Sequence, residues 1–148
     1  MRTKYKATKK DKLLITKYMT KQLTAKALKN LTRSIDQDAK CKNCASLRCA
    51  GWETMPSSFN QEKLELVGTL KSGNEELWDE YHPKGTQIWS ADAPISPHFH
   101  PYNKCDVHIC KTCGTSYLRY TEFGGYYVDQ RIRELNPDLI TDHTQIEK

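Results

Sequence analysis

The sequence contains no apolar run of the roughly 18 residues that a membrane-spanning helix needs. The longest apolar stretch near its start, Leu13-Leu14-Ile15, is also too short for the core of an export signal. We therefore expect a cytoplasmic protein with no membrane partner. Thiols stay reduced in the cytoplasm, so the six cysteines are expected to bind metal rather than to form disulfides.

Common local motifs of catalysis are also missing from the sequence. It has no HExxH motif, no Gly-rich phosphate loop, no nucleophile elbow and no paired carboxylates at a diagnostic spacing. The one arrangement that hints at chemistry is His98-Phe-His100, in a proline-rich loop. In an extended segment both imidazoles point the same way, which suits either a second metal site or acid–base roles. A structural role is the alternative, and we predict a protein that is not an enzyme.

Charge is distributed unevenly along the 148 residues. Residues 1–40 hold twelve Lys or Arg and three Asp, which gives +9, whereas residues 41–148 hold eleven Lys or Arg and fifteen Asp or Glu, which gives −4. This division predicts a basic N-terminal arm attached to a mildly acidic body.

The basic arm, residues 1–40, is predicted to be an amphipathic helix. Thr8 and Asp11 fit an N-terminal capping box. Apolar residues then recur at close to four-residue spacing, with lysines on the opposite face. Three roles fit this pattern: packing on the body with solvated lysines, binding of phosphates, or lying on a membrane surface. The apolar stripe consists of Ile15, Met19, Leu23, Ala27, Leu31 and Ile35.

The clearest motif in the chain is Cys110-x-x-Cys113-Gly114. Two residues between cysteines let both sulfurs reach one ion, and Gly114 supplies the positive φ that such a turn favours. Val107 and Ile109 alternate with polar residues before the turn, and a second extended run follows it. Gly124-Gly125 then permits a chain reversal. The stretch predicts strand, metal knuckle, strand, turn and strand.

A second pair, Cys41 and Cys44, lies upstream, with 65 residues between Cys44 and Cys110. Two such pairs supply the four sulfurs of a closed structural zinc site, so we predict that Cys41, Cys44, Cys110 and Cys113 bind one structural Zn²⁺. Three other residues are alternative ligands: Cys49, Cys105 and His108. The long separation indicates that the intervening segment contributes strands of its own.

The fold class predicted is α+β, with the N-terminal helix packed on a small antiparallel sheet that carries a zinc-ribbon-like pair of knuckles. Residues 41–140 are predicted to form the zinc-stapled sheet domain, and residues 141–148 a flexible tail. Alternation over Lys63–Leu70 predicts a strand, and a short strand is predicted at Thr86–Trp89.

The Cys110–Gly114 knuckle between strands resembles the second half of a zinc ribbon. The run from Leu118 to Val128, continuing to Arg133, is similar to small bacterial proteins of this size that group with immunity proteins of interbacterial toxin systems. That resemblance implies a compact, cytoplasmic and non-catalytic protein that neutralises a toxin by binding it.

Two hypotheses for function follow. The first is a zinc-binding, protein-binding module of the immunity or antitoxin type, which meets a basic protein such as a nuclease-type toxin. Its acidic and aromatic surface consists of Glu75, Glu76, Trp78, Asp79, Glu80 and Tyr81. The alternative is a zinc-ribbon protein that binds nucleic acid through the basic helix and nearby aromatic and Arg side chains. That surface consists of Lys17, Lys21, Arg119, Tyr126 and Arg131.

Overall fold

The fold is a five-stranded antiparallel sheet with one α-helix beside it, seen in a computed structural model that describes residues 21–33, 41–47 and 49–142. The helix within these residues is α1 (Ala25–Arg33). The strands are β1 (Glu53–Thr54), β2 (Leu64–Thr69), β3 (Asp106–Cys110), β4 (Ser116–Phe123) and β5 (Val128–Glu134). Their order across the sheet is β1-β5-β4-β3-β2. The α+β prediction is confirmed.

Strand β4 is the centre of the sheet. It pairs with β3 at four positions, from Asp106–Arg119 to Ile109–Ser116, and with β5 at seven. The β3–β4 turn is the predicted cysteine knuckle, and the β4–β5 turn closes where the Gly124 N–H donates to the Tyr127 carbonyl at 2.9 Å. The strand predicted at 63–70 is β2, and it carries a bulge between Leu66 and Gly68.

Alternation along the strands gives the sheet two buried faces. On one face Val107 and Leu118 pack with Leu28 of α1 in the larger core. On the other face Tyr117 and Ile132 pack against the cysteine-rich loop in a second core. Because successive residues of β4 point to opposite faces, Leu118 and Tyr117 belong to different cores although they are neighbours in the chain.

The predicted N-terminal helix is wrong at residues 21–24, and residues 1–20 and 34–40 lie outside the described chain. Residues 21–23 are extended along β2, where the Leu23 N–H donates to the Thr69 carbonyl at 2.8 Å. Gly68 makes this close approach possible, since a Cβ there would lie 2.5 Å from Leu23 Cδ1. The helix begins only at Ala25, where the Thr24 hydroxyl accepts from the Ala27 N–H at 3.2 Å.

A strand at Thr86–Trp89 is also a wrong prediction, because the structure has turns there. The Thr86 hydroxyl donates to the Pro83 carbonyl at 2.7 Å, and the Ser90 hydroxyl accepts from the Gln87 N–H at 3.0 Å. Such local bonds compete with strand pairing. In the predicted tail, the Thr141 N–H donates to the Ile95 carbonyl, and residues 143–148 lie outside the described chain.

Arg133 of β5 is the largest fully buried side chain of the described residues, and no carboxylate pairs with it there. Its guanidinium instead donates to the carbonyls of Ala50, Ala91 and Ala93 and to the Tyr102 hydroxyl. A buried charge is tolerated when all its donors are satisfied. Arg133 therefore ties three separate loops to the sheet.

Replacing Arg133 with Met leaves these buried acceptors without a donor. We expect Arg133→Met to lower the free energy of unfolding by about 3 kcal/mol or more, measured by urea denaturation at pH 7. Arg133→Lys keeps the charge but loses the planar guanidinium, so its free energy of unfolding is expected to lie between those of Arg133→Met and wild type. A Met variant as stable as wild type would show that the network contributes nothing.

Candidate metal centre

Four cysteine sulfurs converge at one end of the sheet. The Sγ atom of Cys41 lies 3.7 Å from that of Cys44 and 3.5 Å from that of Cys110, and the Sγ atoms of Cys44 and Cys113 lie 3.4 Å apart. All four sulfurs lie within 4.8 Å of one another. A tetrahedral Zn²⁺ with bonds of about 2.3 Å places its sulfurs about 3.8 Å apart, so the cluster fits such an ion. The structure thus brings together the predicted set.

The downstream knuckle is a tight turn between β3 and β4. Gly114 has a φ of 78°, as predicted, and its N–H donates to the Cys110 carbonyl at 2.8 Å. The Cys110 N–H in turn donates to the Thr115 carbonyl. Because this turn extends the β-ladder, both thiols are positioned by the sheet itself.

The upstream knuckle has no glycine, and other contacts shape it. A short 3₁₀ turn, Ala45–Leu47, follows it directly, and the Leu47 N–H donates to the Cys44 carbonyl at 2.9 Å. The Asn43 amide donates to the Thr112 hydroxyl at 2.8 Å, which joins the tips of the two knuckles. Sequence reasoning missed this bond, since 69 residues separate the pair.

The surroundings of the Cys44 sulfur also fit a bound metal ion. Within the described part of the chain, the buried Tyr117 hydroxyl has no hydrogen-bond partner of standard geometry, yet it interacts with the Cys44 sulfur. A thiolate held by a metal is a good acceptor for such a donor. Without a metal ion, burial raises the pKa of the Cys44 thiol to about 12. A divalent cation would supply the charge that keeps this thiol deprotonated.

The two spare cysteines do not belong to the cluster. The Cys49 thiol donates to the Leu47 carbonyl at 3.2 Å, and the Cys105 thiol donates to the Pro101 carbonyl at 3.3 Å. Cys105 is fully buried in the other core. His108 lies on β3 two residues before Cys110, and its imidazole nitrogens are not part of the four-sulfur cluster. The three alternative ligands are therefore excluded from this site.

His98 and His100 do not converge, which corrects the expectation that they share one direction. The His98 Nε2 atom lies 3.1 Å from an Asp142 carboxylate oxygen, whereas the His100 ring packs on Trp78 at 4.7 Å between centroids. Among the described residues, the four cysteines are the one group of three or more metal-type ligands that lie close enough for an ion.

The predicted partner-binding residues form one continuous, anchored segment. The buried Asn103 amide donates to the carbonyls of Asn74 and Leu77 at 2.9 Å each. The His100 N–H donates to the Asp79 carbonyl at 2.7 Å. The Tyr81 ring packs on Phe99. Four of the six side chains are exposed: Glu76, Trp78, Asp79 and Glu80.

The predicted nucleic-acid residues are dispersed. Arg119 and Arg131 lie on opposite faces of the sheet, because Arg131 pairs with Tyr120. Arg119 donates to the Gln61 side chain at 2.7 Å, and Arg131 forms ion pairs with Glu122 and Asp129. Lys21 and Tyr126 are exposed on separate elements, and Lys17 lies outside the described residues.

Comparison of the chain with known proteins gives no match with a family model, a curated protein or a solved structure. The similarity to zinc ribbons and immunity proteins therefore stays a prediction from the residues quoted above. Along the described part of the chain, no helix has the length and apolar character that crossing a bilayer requires.

We expect the purified, reduced protein to contain one zinc ion per chain, measured by elemental analysis. Cys110→Ser and Cys44→Ser should each lose the metal and much of the stability, because closed four-sulfur sites are structural. Cys105→Ser is the matched control, a buried thiol outside the cluster, and should keep one zinc. Equal metal loss in all three variants, or a metal-free yet fully stable wild type, would contradict this assignment.

A second prediction concerns acid stability. Burial, helped by Lys104, lowers the pKa of His100 from 6.5 to about 4. On acidification, the unfolded chain therefore binds a proton at this histidine before the folded protein does. The contribution of His100 to the free energy of unfolding is present above pH 6.5 and is lost as pH falls from about 6.5 to about 4.

We expect His100→Asn to lose less stability than wild type over that pH range. Urea denaturation in matched buffers measures the difference, and subtracting one protein from the other cancels any effect of acid on the metal centre. If the free energies of unfolding of wild type and His100→Asn changed equally with pH, His100 would not be the cause of the pH dependence.

Proposed function

We propose that this protein is a non-catalytic zinc-binding protein that acts as a protein-binding module in the cytoplasm. Zinc serves a structural role here, since four sulfurs close the coordination sphere and leave no position for a substrate. None of the described cysteines forms a disulfide, which suits a reducing compartment.

The observation that carries the binding role is the anchored acidic and aromatic segment 75–81. Its backbone is bonded to residues 100–104, and the Lys104 ammonium donates to the Leu77 carbonyl and lies 4.2 Å from the centroid of the Trp78 ring. Trp78 is nevertheless 67% exposed. A rigid, exposed Trp loses little conformational entropy on binding, and such residues are frequent anchors of protein interfaces.

Charge indicates the kind of partner. Glu76, Asp79 and Glu80 are exposed beside Trp78. A basic protein would be steered to this surface by long-range attraction and would bury Trp78 at its centre. We propose a partner of the nuclease-type toxin class, so that the protein acts as an immunity or antitoxin-type module.

The test begins with the tagged, zinc-loaded full chain, used to isolate its partner from the native host, followed by titration of the purified pair. We expect Trp78→Ala and Asp79→Lys each to weaken binding by about tenfold or more, with the zinc content unchanged. Glu65→Lys is the matched control, because Glu65 is an exposed carboxylate on β2, outside the segment.

Two outcomes would overturn the proposal. The first is a partner that binds wild type, Trp78→Ala and Asp79→Lys equally well. The second is binding of DNA or RNA, instead of a protein, with an affinity that falls steeply with salt and depends on Lys21. That result would favour the nucleic-acid alternative.

A further inference from the structure

A cleft of about 910 Å³ opens at the end of the sheet opposite the cysteine cluster. Its floor is the start of β3 and the last residues of β4, and its walls are the acidic segment, residues 100–104 and the β4–β5 turn. β3 runs from this cleft to the knuckle, and His108, the cleft residue of β3 nearest to Cys110, is two residues or about 7 Å from it along the strand. No residue of the cleft is a cysteine.

The cleft contains a stretch of unpaired sheet edge. β3 begins opposite Arg119, but β4 continues to Phe123, so the last four residues of β4 extend beyond the end of β3. Before Asp106 the chain leaves the ladder in a 3₁₀ turn, where the Cys105 N–H donates to the Tyr102 carbonyl. Beyond Arg119, strand β4 therefore keeps its β5 partner on one side, and no other described residue pairs with it on the other side.

The hairpin register shows which backbone groups are free. Gly124 and Tyr127 form a hydrogen-bonded pair at the turn. Bonding to β5 alternates in an antiparallel ladder, so the N–H and C=O groups of Glu122 point to β5, whereas those of Thr121 and Phe123 point away from it. Those groups face the cleft, in the position that an extension of β3 would occupy.

The two faces of this edge differ in chemistry. On one side Trp78, His100 and Tyr120 form an aromatic wall, and the Trp78 and His100 rings are in contact. On the other side Arg119 and Lys71 outnumber the carboxylate of Asp106. The Arg119 Nε–H is buried and has no hydrogen-bond partner among the described residues.

We propose that the cleft takes one extended segment of a protein partner, which adds as a strand to β4 beside Thr121 and Phe123. Strand addition satisfies the free backbone groups, and side-chain pockets select the sequence. Because side chains alternate across a strand, the segment places apolar residues toward Trp78 and acidic residues toward Arg119. This inference deepens the proposed function and rests on it, since it names how the partner is held: a partner that is basic overall presents here one strand whose acidic side chains meet Arg119.

The probe is a capped octapeptide of alternating Val and Glu, added to the ¹⁵N-labelled, zinc-loaded full chain. We expect the amide protons of Thr121 and Phe123 to become protected from hydrogen exchange, while that of Glu122, already bonded to β5, changes little. A peptide of alternating Val and Lys should bind about tenfold more weakly.

Thr121→Pro provides the sharpest variant. It removes one N–H that makes no bond to β5, and proline is tolerated at a free sheet edge, so the fold should survive. We expect peptide affinity to fall by about tenfold or more. Thr121→Val is the matched control: it keeps the N–H, loses the hydroxyl that donates to Gln130, and should bind like wild type.

Peptide binding without protection of Thr121 and Phe123, or equal binding by Thr121→Pro, overturns the inference, as does no binding at all. If Thr121→Pro loses its zinc or its fold, a peptide N-methylated at alternate residues replaces it, and undiminished binding of that peptide is the contrary result. Self-association of the free chain that depends on Thr121 would show a second copy to be the occupant. If the native partner still requires Trp78 but binds Thr121→Pro normally, the proposed function stands and strand addition does not.

Discussion

The convergence of four thiols is the constraint on which the rest of the structure depends. It joins residues 69 positions apart, and the entropy lost in closing so long a loop must be offset by what holds its ends. A divalent ion bound by the four sulfurs would offset this loss, and the Asn43–Thr112 bond and the Tyr117 hydroxyl would orient the groups around it. Once the loop 41–47 is fixed there, it covers one face of the sheet and allows a second, smaller core to form.

The parts of the fold that could be predicted from the sequence are those set by local chemistry. A glycine after Cys113 specifies the knuckle turn, and alternation in residues 63–70 and after Cys113 specifies strands. The spacing of the two cysteine pairs also indicated the four-sulfur set, but Cys49, Cys105 and His108 stayed open as ligands until the fold placed them outside the cluster. The turn and the strands have their causes within a few residues, so no tertiary information was needed for them.

The features that the sequence did not reveal have distant causes. Residues 21–24 carry a helical pattern, but Gly68, more than forty positions away, provides the space that lets them pair with β2 instead. Arg133 looks like one of many surface cations until two loops bring their carbonyls to it and a third brings the Tyr102 hydroxyl. The unpaired edge of β4 depends on where β3 leaves the ladder, and no pattern within β4 indicates that position.

Sheet edges also decide whether a small protein stays monomeric. Strand β1 is only two residues long, and residues 21–23 pair with the outer edge of β2 at Thr69. These outer edges therefore leave few backbone groups with which a sheet of another molecule could pair. The free edge of β4 is instead recessed between walls. If the recess takes a single strand, as proposed above, its walls would obstruct a broad sheet, so a pairing site could exist here without inviting fibrillar aggregation.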